Sequence, residues 1–183
     1  MQSTRIDMSV KARTVMCDLL NQHLANAIDL QTQCKQAHWN VRGENFYSLH
    51  LLFDKVNEDV EDYVDLIAER VAQLGGQAYG TVQAVVRTTE LEPYPVDLVD
   101  SMAHVEMLSN ALGMFANKVR RAIDDTADMG DQGTSDIFTE ISRGVDSWLW
   151  MVESHLHGDA RHNGVTQAHN RVQSRMKVPS GKR

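Results

Sequence analysis

The sequence predicts an all-α fold: a bundle of four long helices with one long crossover between the second and the third. Three observations carry this. Four long stretches repeat apolar side chains at intervals of three and four, which is the pattern of amphipathic helices. Only a short loop, residues 40–45, separates the first two, so those helices run antiparallel. A much longer connection, residues 75–96, follows the second, enough to carry the chain from one end of a bundle to the other. A chain of 183 residues suits one domain with a sizeable core.

Residues 1–10 are polar and read as a loose arm. The first helix is expected from about Lys11 to Trp39, with Val15, Leu19, Leu24, Ile28 and Leu30 on its apolar face. Gly43 marks the loop. The second helix carries the core stripe Phe46, Leu49, Phe53, Val56, Val60, Tyr63, Ile67, Val71 and Leu74, and Gly75-Gly76 stops it. Within the crossover, TVQAVVRTT suits a short helix, and Pro93 and Pro95 end the connection. Asp97 is the expected N-cap of a third helix running to about Ile123 through Leu98, Met102, Val105, Leu108, Leu112 and Val119. Residues 124–133 read as an acidic, Gly-bearing loop. The fourth helix is expected from about Ser135 to His157 through Ile137, Ile141, Val145, Leu149 and Val152, with Gly158 as its stop. Leu51, Trp148 and Trp150 lie off the core stripes and suggest subunit interfaces. The chain thus divides into an arm (1–10), a bundle (11–157) and a tail (158–183).

No apolar run approaches the ~18 residues of a membrane span, and no positively charged segment with an apolar core opens the chain. A cytoplasmic protein without a membrane partner is expected. Cys17 and Cys34 fall on one helix, ~25 Å apart along its axis, too far to bridge. They read as buried free thiols. Charge is uneven: residues 158–183 carry net +5, while residues 1–157 carry net −12. That division suggests cations as partners of the body and polyanions as partners of the tail. The sequence holds no Gly-rich phosphate loop, no CxxC and no internal repeat.

The chemistry concentrates on the second helix. His50 and Asp54 are i,i+4, as are Asp65 and Glu69, and the pairs lie about three whole turns apart on one face. His50 and Glu69 are separated by ~28 Å of helix, whereas metals sharing a site sit ~3.5–4 Å apart. The pairs meet only if two copies of the helix pack antiparallel across a two-fold axis near Asp59–Val60. The mixture of imidazole and carboxylate suits iron. The alternative is an ordinary surface pair on an acidic helix. Glu58, Glu61 and Asp62 extend the carboxylate stripe, either as a mineral-nucleating wall or as a solvated face.

The segment AHWNVRG…F…LH…FD…D…AER…LGG resembles the Dps family, ferritin-like proteins of starved bacterial cells. Similar stretches at YGT, YPVD and LWMVES extend the likeness from about Val15 to Ser154. The resemblance implies a di-iron ferroxidase centre between subunits. Its ligands would be His38, His50 and Asp54 from one subunit and Asp65 and Glu69 from the neighbour, with Trp39 close to the iron as an electron donor. Glu-x-x-His, which builds a di-iron site inside one bundle, is absent, in keeping with a shared site. The resemblance further implies a homododecamer with a hollow interior. Fe(II) would be oxidised there by hydrogen peroxide in preference to oxygen, and Fe(III) stored as mineral, sparing DNA from oxidative damage. Zinc suits the same ligands.

Acidic pores in the family make Asp124, Asp125, Asp128 and Asp131 candidates for guiding iron inward, the alternative being a solvated loop. The tail residues Arg161, Arg171, Arg175, Lys177, Lys182 and Arg183 are candidates for DNA contact, repeated on every subunit of a shell. On this reading the protein would be nucleoid-associated, with iron chemistry secondary. A Lys-rich N-terminal arm, used for DNA by members of the family, is lacking. His155, His157, His162 and His169 offer an additional metal site in the tail.

Overall fold

A computed structural model describes residues 1–157, which form five helices and no strand. They are α1 (Val10–Asn40), α2 (Phe46–Gln73), the short α3 (Val82–Thr88), α4 (Ser101–Asp128) and α5 (Gln132–Glu153). α1 packs along α2 and α4 along α5; contacts of α1 with α4 and of α2 with α5 close the bundle, and α3 lies on α1. None of the described helices is long and apolar enough to cross a membrane.

Local chemistry sets the ends. Ser9, Thr81, Asp100 and Asp131 each accept a backbone N–H three residues on, satisfying donors that a helix start leaves unpaired. α2 and α4 stop in the same way. Gly75 (φ +81°) and Gly130 (φ +82°) take the left-handed conformation. Gly76 N–H donates to Val71 and Asp131 N–H to Thr126, closing the six-residue bond of a Schellman stop. The cap of the third long helix is therefore Asp100, not Asp97. This helix also runs on to Asp128, so Asp124, Asp125 and Asp128 stand on helix rather than in a loop. α5 starts at Gln132 and ends at Glu153, with a turn through residues 154–157.

The core stripe of α2 is buried from Leu49 to Leu74, but Phe46 is 43% exposed. On α1 the side chains that join the apolar core are Met16, Cys17, Leu20, Leu24, Ala27, Leu30, Cys34 and Ala37. Val15 is exposed, and Leu19 and Ile28 are only partly covered. α1 is less apolar than its partners because one of its faces binds the crossover through side chains. Asn21 bonds Gln77 O and Tyr79 N, Gln22 bonds Thr88 O, Asn26 bonds Glu90 N, Asp29 bonds Thr89 Oγ1 and Gln33 bonds Glu92 O. This polar row supplies partners that an irregular segment cannot supply itself. At its far end Tyr94, between the two prolines, sets its hydroxyl 2.5 Å from Nδ1 of fully buried His104.

The N-terminal arm is not loose. Gln2 N–H donates to Gly75 O at 2.6 Å, and the buried Arg13 guanidinium donates to Gln2 O at 3.2 Å and Leu74 O at 2.7 Å. Ile6 and Met8 pack on the core beneath. Both cysteines are buried and free, and burial pushes the Cys34 thiol up to about 12.

Two predictions follow from the packing. A Cβ on Gly144 would overlap the Tyr63 hydroxyl and stand 2.9 Å from its Cζ, so Gly144→Ala should cost about 1–3 kcal/mol in urea unfolding. Tyr63→Phe, which removes the overlapping atom, should recover part of that loss; simple additivity of the two changes would refute the contact. The second concerns His23, buried against Phe138 with ring centroids 4.8 Å apart. Burial, assisted by Lys118 and Arg121 and opposed by Glu90, pushes its imidazole down to about 4 from 6.5. The unfolded chain then binds the extra proton between those values. Stability should be complete above about pH 6.5 and decline toward pH 4, by about 3 kcal/mol in all. His23→Leu should flatten this part of the profile.

Candidate metal centre

His38 ends α1 and His50 opens α2. The five residues between those helices reverse the chain, with Gly43 at φ +110°. The two rings stack with centroids 3.8 Å apart and planes 18° off parallel. Their hydrogen bonds are reciprocal: His38 Nδ1 donates to His50 O at 2.7 Å and His50 Nδ1 to His38 O at 2.8 Å. A carbonyl only accepts, so both protons are placed on Nδ1. In the neutral form each ring keeps its Nε2 lone pair for a ligand. This is the outer-shell arrangement that orients metal-binding histidines. Phe46 covers the second face of His50, centroids 5.2 Å apart, which accounts for an apolar side chain placed off the core.

Asp54 lies one turn beyond His50, its Oδ1 3.8 Å from His38 Nδ1. The same oxygen accepts from the Lys35 ammonium. That hydrogen bond, more than the neighbouring imidazoles, holds the Asp54 carboxyl below the usual range. The geometry thus joins His38, His50 and Asp54. Lys35, three residues before His38, was assigned no role from sequence. Its shared face with His38 is the signal that would have found it.

Asp65 and Glu69 are exposed further along α2, on the far side of about three helical turns. Among the described residues, no three His, Cys, Asp or Glu side chains assemble into a cage for a metal ion within one chain. Trp39, beside His38, is 67% exposed and borders an open cleft shared by Lys35, Asn57, Glu58 and Glu61.

The acidic candidates divide. Asp124, Asp125 and Asp128 are exposed. Asp131 is 4% exposed, paired with Arg70 Nη2 at 2.7 Å, and caps α5 through Thr134. A buried, neutralised cap does not face a pore, so Asp131 leaves that set. Arg70 also bonds Thr134 Oγ1 at 2.9 Å, tying the C-terminal half of α2 to the start of α5. Trp148, assigned to an interface from sequence, bonds within the chain: its Nε1 donates to Asp59 at 2.8 Å. Leu51 and Trp150 are exposed. His155 and His157 stand in the turn after α5. His162, His169 and the basic candidates Arg161, Arg171, Arg175, Lys177, Lys182 and Arg183 lie outside the described residues.

Comparison with known proteins identifies the family. The model of the ferritin-like domain matches residues 17–161. The DNA protection during starvation protein of Agrobacterium fabrum is 43% identical over 153 residues, 84% of this chain and 94% of that protein. Among solved structures, DpsC from Streptomyces coelicolor superposes with a TM-score of 0.82 at 31% identity, over 85% of this chain and 91% of that one. Dps from Mycobacterium smegmatis gives 0.82 at 29% identity, over 86% and 96%. The matched span runs through all five helices and holds His38, His50, Asp54, Asp65 and Glu69 together. The chain belongs to the ferritin-like family, within its branch of DNA protection during starvation (Dps) proteins.

Proposed function

We propose that this protein is a ferroxidase and iron store whose reaction centre forms between two copies of the chain. His38, His50 and Asp54 of one copy and Asp65 and Glu69 of the other hold Fe²⁺ as substrate. The observation that carries the reading is the reciprocal hydrogen bonding of His38 and His50. It fixes both imidazoles with Nε2 free, beside a carboxylate held ionised. Hydrogen peroxide is the preferred oxidant. Two Fe²⁺ each give up one electron, the peroxide O–O bond takes both, and hydrolysis leaves two ferric oxyhydroxide units and four protons. Delivering both electrons together avoids release of a hydroxyl radical. The ferric product collects inside a hollow dodecamer, and Asp124, Asp125 and Asp128 draw cations toward it.

The favoured test is Fe²⁺ oxidation with peroxide and with oxygen on assembled protein. A His50→Ala/Asp54→Ala variant and an Asp65→Ala/Glu69→Ala variant should each lose fast peroxide-driven oxidation. Coassembled from equal parts, they should regain about a quarter of the wild-type sites, because half the pairs are mixed and each mixed pair rebuilds one of two centres. Full activity in either variant alone would show that the stripe is structural. No recovery on mixing would refute the shared centre.

A second activity, DNA binding, is supported by the basic composition of residues 158–183 against an acidic body. The folded N-terminal arm favours the tail over the arm for this role. Binding should fall steeply with salt and vanish when residues 158–183 are deleted. Retention of a gel shift by the truncated protein would refute it.

A further inference from the structure

We propose that Tyr94 and His104 form a proton-operated latch that fastens the end of the crossover beneath the turn of α1 carrying His38. The latch lies where crossover, α1 and α4 meet, and it does not depend on the ferroxidase reading. Tyr94 comes from the crossover. Its hydroxyl stands 2.5 Å from Nδ1 of His104, in the first turn of α4. The His104 side chain is fully buried, and its Nε2 has no hydrogen-bond partner among the described residues. Pro93 and Pro95 flank Tyr94 and offer no backbone N–H to tie the chain down. Pro93, Pro95, Val96 and Asp97 are all exposed. The neighbouring bond, from Gln36 Nε2 to Val96 O, is long at 3.5 Å. The Tyr94 hydroxyl is thus the firm attachment of this stretch.

Burial, helped by the Cys34 thiol, holds the Tyr94 phenol above its ordinary value, so it keeps its proton and donates to Nδ1. The neutral ring then carries its own proton on Nε2. On α1, Cys34 is pushed up to about 12 by burial and stays neutral. Burial also pushes the His104 imidazole below 6.5, against the opposing pull of the Leu98 carbonyl, the Asp100 carboxylate and the Asn40 carbonyl. A further proton must go onto Nδ1, the atom that accepts from Tyr94. The hydroxyl then loses its acceptor, and a charge and unpaired donors are left in a site closed to water, which is costly. Once the latch is open, the imidazole takes that proton in water at its ordinary value. Acid below about pH 6.5 therefore favours the open latch. Asp100 pairs with Arg42 in the loop after His38, and Cys34 lies one turn before His38 on α1. Opening thus loosens the corner that carries the imidazole pair.

Cys34 is fully buried, so its reaction with 4,4′-dithiodipyridine reports opening. The test uses assembled full-length protein carrying Cys17→Ala, which leaves Cys34 as the only thiol. Each rate is divided by that of glutathione at the same pH. The ratio should rise from about pH 7 to about pH 5, by up to about tenfold per pH unit. His104→Gln, which keeps an acceptor for Tyr94 but takes no proton, should remove the rise. His23→Leu should leave it in place, because His23 lies about 16 Å further back along α1 and stays buried during a local opening. Tyr94→Phe, which deletes the bond, should raise the ratio at about pH 7 by roughly threefold to tenfold. A ratio that does not change with pH would overturn the proposal. So would a rise that survives His104→Gln, a rise lost in His23→Leu, or no increase in Tyr94→Phe. Should His104→Gln fail to assemble, the profile of the His104 protein and the Tyr94→Phe rate decide the matter. No iron is present, so these outcomes are separate from any failure of iron oxidation in the variants above.

Discussion

A helix cannot bend its two halves onto each other, and that rigidity governs the candidate centre. At about 1.5 Å per residue, α2 fixes His50 and Asp54 far from Asp65 and Glu69, on the same face. No adjustment of loops or rotamers within a chain brings them together. A metal that uses both pairs needs a second α2 running the other way, so chemistry would depend on assembly. What a single chain can do is prepare each half. The α1–α2 reversal does this for the first half. Two backbone carbonyls orient two imidazoles, Phe46 covers one ring, and Lys35 balances Asp54. Each contact links α1 to α2 or lies within α2, so the half-site is as firm as the helix pair beneath it.

The same rigidity explains what was legible in the sequence. Leu49 to Leu74 repeat at helical spacing because that face is uniformly apolar, and the buried stripe matches it. The short helix in the crossover is also visible, since TVQAVVRTT carries its own capping threonine. α1 is different. Its residues 22, 26, 29 and 33 hold the crossover through polar side chains at helical spacing, so a search for apolar repeats finds only part of its buried surface. The partners of that row are backbone atoms far along the chain. Periodicity carries no information about them.

Helix ends and acidic residues show a related limit. Asp97 and Asp100 are both plausible caps by residue type. The choice falls on Asp100, whose carboxylate meets Ala103 N–H at 2.9 Å and whose backbone pairs with Arg42 in the α1–α2 loop. A tertiary contact settles a question that propensity leaves open. Asp131 likewise looks like its acidic neighbours until Arg70, 61 residues earlier, is placed beside it. The i,i+4 spacing of His50 and Asp54 could be read directly because it is local. Lys35 could have been read from the same helical logic. The Trp148–Asp59 pair, 89 residues apart, could not.

Formal charge bears on the proposed pairing of the half-site with a second copy. In one copy, the Lys35 ammonium offsets the Asp54 carboxylate. Asp65 and Glu69, the other half of the proposed centre, are two carboxylates one helical turn apart, an arrangement that is mildly destabilising by itself. Joining the halves across a two-fold axis does not relieve that repulsion, because Lys35 is already engaged with Asp54. A divalent cation does relieve it, and ligation of Asp54 by that cation would release Lys35 to solvent or to the carboxylates of the adjoining cleft. The imbalance therefore favours a cation at the junction over an empty one. In the proposed centre the driving force for metal binding would lie in the carboxylate pair and the geometric selectivity in the imidazole pair.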